Sequence, residues 1–189
     1  MGRTVVDLDD RDLAVRDALR LELTALRLAA GLSQRQVAIA MGSEASLVRG
    51  LERAGVLQSR TGTVLRWARA LGKRVIIEPV GFPPPAKQRW PSRSAGVEGL
   101  LATIAQTEWA DRDEWVAAGI AADLAGIRVA CGITQTELAD VLGISEQAVS
   151  ILETAGTDTM LVVLQRYARG LARCSRRPDA HLHVRLHDS

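Results

Sequence analysis

Aromatic side chains are scarce in this chain: one Phe, one Tyr and four Trp make up 3% of 189 residues. A core of large flat rings is therefore excluded. The abundant Ala, Leu, Val and Arg instead favour helices meeting through small, close interfaces. Cysteine is rarer still, since Cys131 and Cys174 form neither a CxxC pair nor a staple framework. A reducing cytoplasm is the expected home. No apolar run approaches the ~18 residues that a membrane span needs, and the start, MGRTVVDLDDRD, is too acidic for a secretory signal. A membrane is thus not an expected partner. No Ser/His/Asp or Cys/His grouping, glycine-rich phosphate loop or paired carboxylates stands out, so neither an enzyme nor a cofactor is expected.

Hydrophobic residues nevertheless account for 47% of the chain, enough for a packed core. The net charge of +2 says little, but its distribution says more. Residues 1–80 carry 13 Lys/Arg against 9 Asp/Glu, a balance of +4. Residues 81–97 add Lys87, Arg89 and Arg93 with no acid, and residues 98–189 hold 8 against 13, a balance of −5. A basic front and an acidic rear must both be accommodated by whatever the chain binds.

Internal repetition sets the architecture. Arg27–Gly55 aligns with Arg128–Gly156 without a gap, and 11 of the 29 positions are identical. The match resumes in VLRWARALG (64–72) against LQRYARGLA (164–172). Each copy ends in a strand-like run, RVIIEPV (74–80) and HLHVRLH (181–187). The latter alternates Leu182, Val184 and Leu186 with polar residues, a period of two. Between the copies, PVGFPPPAKQRWPSRSAG (79–96) holds too much Pro and Gly for a regular element. The expected layout is a first domain at 1–80, a Pro-rich basic linker at 81–96 and a second domain at 97–189. An additional helix is expected from Val97 to Ala110. Asp9 or Asp10 would cap a long helix running to Gly31, and Asp111 or Asp113 its counterpart running to Gly132.

The repeated unit reads as two short helices over a glycine turn. In ITQTELADVLGISEQAVSILE (133–153), Thr134 and Glu137 have the spacing of a capping box. Leu138, Ala139 and Leu142 face inward, and the small Ala139 lets the next helix cross closely. Gly143 permits a left-handed turn. Ser145 caps a second helix whose Ala148, Val149 and Leu152 point to the core. Ser145, Glu146, Gln147, Ser150 and Ile151 are left as an outward ridge.

Both stretches resemble the lambda-repressor/Cro-type helix-turn-helix family, also called the xenobiotic-response-element-type regulators, over roughly residues 20–72 and 121–171. The spacing Q-xxx-A-xxx-G, present twice, carries the resemblance. It implies a mostly α protein of two tandem five-helix domains, each followed by a strand that can pair as a ribbon. It further implies binding of double-stranded DNA, with the third helix of each domain in the major groove. The implied DNA-facing residues are Gln34, Glu44, Ala45, Ser46, Arg49 and Arg53 in the first copy, with Gly50 beside them. In the second they are Gln135, Ser145, Glu146, Gln147, Ser150 and Ile151. Gln34 and Gln135 either meet phosphate or support the recognition helix. Arg27 and Arg128 match a family arginine that pairs with a glutamate, here Glu52 and Glu153. Arg49 has the chemistry to fork onto guanine and Gln147 to bracket adenine, whereas Gly50 and Ala45 are shorter than a base reader requires.

The implied function is a transcriptional repressor or regulator acting as a pseudo-dimer inside one chain on an asymmetric operator. A second reading stays open: an antitoxin-like module in which one domain binds a protein partner. The terminal strands resemble those of antitoxin-type members, which pair between two copies, so a homodimer through them is a further expectation. His181, His183 and His187 share one strand face with Arg185 and no fixed carboxylate or thiol, which reads as a solvated face and not a metal site. Trp67 and Tyr167, at equivalent positions, are expected in the core, as is Cys131.

Overall fold

The computed structural model describes residues 10–54, 59–86, 109–154 and 159–188. Four helices, α1 (Asp10–Ala29), α2 (Gln34–Ala40), α3 (Ala45–Ala54) and α4 (Thr61–Ala70), lead into strand β1 (Lys73–Val80). Four more, α5 (Trp109–Ala130), α6 (Gln135–Leu142), α7 (Glu146–Thr154) and α8 (Leu161–Cys174), lead into β2 (His181–Asp188). The count among the described residues is therefore four helices per repeat where five were expected. The additional helix expected from Val97 lies outside the described residues up to position 108. Helix α5 already runs from Trp109, so Asp111 and Asp113 sit within it and are not its cap. Helix α1 stops at Ala29, two residues short of the expected Gly31.

Local chemistry explains the boundaries. Ser33 caps α2 and Thr134 caps α6, each in a full capping box, with Gln36 and Glu137 reaching back to the cap backbone. Gly143 ends α6 at φ 63°, a left-handed conformation that costs glycine nothing. Arg166 on α8 donates to the carbonyl of Leu142, satisfying another orphan acceptor at the same end. Gly170 allows α8 to cross α6 closely: a Cβ there would lie 2.8 Å from the side chains of both Leu138 and Leu142.

The strands pair with each other inside the chain. They run antiparallel, with Val75 opposite Leu186, Ile77 opposite Val184 and Pro79 opposite Leu182. These pairs face the helices, and the intervening Arg74, Glu78, His181, His183, Arg185 and His187 are exposed or half-exposed. At the open end of the ribbon Lys73 bonds Asp188.

Two apolar clusters form the interior, and neither is built from one repeat alone. The first gathers Leu19, Leu23, Val37, Val48, Leu51, Val64 and Trp67 with Leu161 and Val162 from α8. Val184 and Leu186 of β2 cover it. The second gathers Leu124, Ile127, Leu138, Val149, Tyr167 and Leu171, with Ile77 of β1 and Phe82 against it. A polar stitch joins the halves at the starts of α4 and α8. The amide and hydroxyl of buried Thr61 both donate to the carbonyl of Thr159, at 3.0 and 2.7 Å, and Arg60 bridges Met160 antiparallel. Past β1 the chain turns back onto α5, where the Ala86 amide donates to the Gly126 carbonyl at 3.0 Å. Among the described residues no helix is long and apolar enough to cross a membrane.

Candidate nucleic-acid interface

In each repeat a glutamate near the end of the third helix is held by the same set of donors. Arg27 on α1 donates to Glu52 through Nε at 2.5 Å and Nη2 at 3.0 Å, and spends Nη1 on the carbonyl of Leu32 at 2.7 Å. Gln34, the first residue of α2, adds its amide at 2.6 Å. The second repeat matches it bond for bond. Arg128 meets Glu153 at 2.6 and 2.9 Å and the Ile133 carbonyl at 2.7 Å, and Gln135 meets Glu153 at 2.8 Å. Side chains in both ion pairs are 8–12% exposed. A bidentate guanidinium–carboxylate pair with a third donor fixes the angle of the third helix against the first two. Both glutamines thus brace the third helix of their repeat.

Tyr167 adds a contact without a sequence signal, donating its hydroxyl to Glu153 at 2.5 Å. Burial pushes the Glu153 carboxyl up, but hydrogen bonds from Arg128, Tyr167 and Gln135 outweigh it and hold the group below the usual carboxylate range. The Tyr167 phenol is pushed far above its ordinary value, first by burial and then by the carboxylate it faces. Its counterpart Trp67 is fully buried, and its indole N–H has no hydrogen-bond partner among the described residues. The same brace therefore carries one donor fewer in the first repeat.

Around the two braces the outward residues differ. On α3, Ser46, Arg49, Gly50 and Arg53 are exposed, as is Glu44 before it. Ala45 is half-buried and packs against the first core, so it helps seat the helix and is a poor candidate for base contact. On α7, Glu146, Gln147 and Ile151 are exposed while Ser150 is half-buried. The Ser145 hydroxyl accepts the Ala148 amide at 3.1 Å, which commits it to capping α7. Glu146 accepts from Thr136 at 2.8 Å, and Glu44 from Ser46 at 3.2 Å. Arg35, absent from the expected set, is exposed beside Gln34 on α2. Val149 is buried as expected, with Ala148 and Leu152 only half-buried beside it.

Residues 124–176 match a protein-family model described as helix-turn-helix. The matched span covers α6, α7, α8 and the end of α5, and does not include the first repeat. No curated protein and no solved structure matches the chain.

Proposed function

We propose that the chain is a sequence-specific double-stranded-DNA-binding transcription regulator, a repressor, working on the nucleoid in the cytoplasm. Its two repeats act as a pseudo-dimer within one chain and meet an asymmetric operator. The observation that carries this reading is the duplicated brace. Matching Arg–Glu–Gln clusters present α3 and α7 in the same local geometry, each as a rigid ridge beside a shorter helix, the arrangement that enters a major groove. The intrachain ribbon supports it, because β1 and β2 satisfy each other where two-chain regulators use a partner's strand. The ridges differ in chemistry, Ser46 and Arg49 against Gln147 and Ser150, so the two half-sites differ as well.

Selecting bound sequences from a random duplex pool, then weighing the complex on one selected site, tests this reading. The expected result is a non-palindromic site with half-sites about ten base pairs apart, occupied by one chain. Two chains on a perfect palindrome refute it. One observation favours the antitoxin-like reading, in which a domain covers a protein partner: from Val129 to Gln165 the chain contains no Lys or Arg.

A further inference from the structure

We infer that the cationic grip of this chain on the duplex lies on the first repeat, with Arg35 and Arg53 toward phosphates and Arg49 within the groove, and that helices α6 and α7 of the second repeat supply no cation to it. The inference rests on the DNA reading above and divides its labour unequally.

The repeat alignment makes the comparison position by position. Arg35, Arg49 and Arg53 correspond to Thr136, Ser150 and Thr154. All three arginines are exposed, and none makes an ion pair or hydrogen bond among the described residues. The one acid within α3, Glu52, is already matched by Arg27. Glu44, just before α3, is exposed and carries the opposing charge.

On the second repeat the change runs the other way. Gln36, Ile39 and Ala45 are replaced by Glu137, Asp140 and Glu146, all exposed. Three positions lose a cation and three others gain an anion on the corresponding surface, while Ser145 in place of Glu44 removes one anion. Glu137 is held ionised by hydrogen bonds from the Thr134 amide and hydroxyl. Duplex affinity depends on counterions released where cations neutralise phosphates, roughly one unit of salt slope per contact. Helices α6 and α7 carry no Lys or Arg to release one. A backbone brought against α7 meets three carboxylates within a stretch free of Lys and Arg. Braced alike, the two recognition helices differ in what they can hold.

The test uses the full-length chain and a mixed-sequence 30-base-pair duplex, titrated over a range of salt. Replacing Arg35, Arg49 and Arg53 together with Ala is expected to flatten the log K against log salt slope by about 2–3 and to cost at least tenfold in affinity at low salt. Asp140→Asn with Glu146→Gln is expected to leave the slope where it was. Installing Thr136→Arg, Ser150→Arg and Thr154→Arg is expected to steepen it. All substituted side chains are exposed except that of Ser150, which is half-buried, and a thermal melt of each variant checks that it is folded. An unchanged slope in the arginine-to-alanine variant, with wild type binding normally, overturns the inference and leaves the DNA reading standing. A slope that flattens on neutralising Asp140 and Glu146 also overturns it, because the phosphates neutralised by the chain then depend on the second repeat. Wild type that binds no duplex at any salt refutes the DNA reading itself, and the inference with it.

Discussion

Removing Arg128 tests whether the brace is held by charge pairing. Arg128→Met keeps an apolar stem of similar length but deletes both bonds to Glu153, at 2.6 and 2.9 Å, and the bond to the Ile133 carbonyl. Glu153 is then a carboxylate with an 8% exposed side chain and no cation. Stranding one charge of a buried pair costs ~3–5 kcal/mol. Tyr167 and Gln135 still donate to Glu153, which places the expected loss at the lower end, ~3 kcal/mol. For a chain of this size each kcal/mol shifts the melting temperature by ~2–4 °C, so a fall of ~6–12 °C is expected by calorimetry. The diagnostic measurement is the double variant. Adding Glu153→Gln removes the stranded charge and should recover at least ~1 kcal/mol of the loss. The pH dependence carries a sign. Glu153 titrates below its unfolded value, so its contribution is fully present above ~4.3 and is lost as pH falls through the folded value. The gap between wild type and Arg128→Met should therefore narrow in acid. A double variant no more stable than Arg128→Met, or a gap that widens in acid, refutes the stranded-charge account.

Gly170→Ala places a methyl 2.8 Å from the Leu138 and Leu142 side chains, and the overpacking should cost ~1–3 kcal/mol in urea unfolding. A melt identical to wild type would mean that the α6–α8 crossing relaxes freely. Val184→Pro removes a backbone donor from the ribbon opposite Ile77. It should lower stability and expand the molecule in solution scattering, and an unchanged profile would show that the helices alone hold the halves together.

Much of this architecture is legible in local patterns, because local patterns report local physics. The period-two run at 181–187 is a strand, lengthened by one residue, and its apolar side is the covered one. Gln135–Leu142 begins where Thr134 and Glu137 allow it to. Packing between distant parts of the chain is not legible in this way. Leu161 and Val162 read as the apolar face of a helix, but nothing in the periodicity says that they complete the core of the other repeat. Nothing in a separation of 25 residues says that Arg27 meets Glu52; only the family resemblance names them as partners. Tyr167 reads as an aromatic core residue, and its bond to Glu153 exists only once α8 has crossed the brace. Ala45 sits on the outward side of a two-helix pattern, yet it is half-buried because the neighbouring core rises to meet it.

The ribbon also imposes an order on assembly. Strand β1 ends at Val80, while its partner spans the last described residues of the chain, from His181 to Asp188. Roughly a hundred residues must be synthesised in between, which takes ~5–20 s at ordinary elongation rates. Throughout that interval the first repeat lacks Leu161 and Val162 from its interior and the cover that Val184 and Leu186 provide. Its strand meanwhile offers unpaired backbone on both edges, the condition under which nascent chains associate wrongly. Closing so distant a contact is slow for entropic reasons. The first repeat therefore waits longest for its last contacts, although its own residues precede them in synthesis.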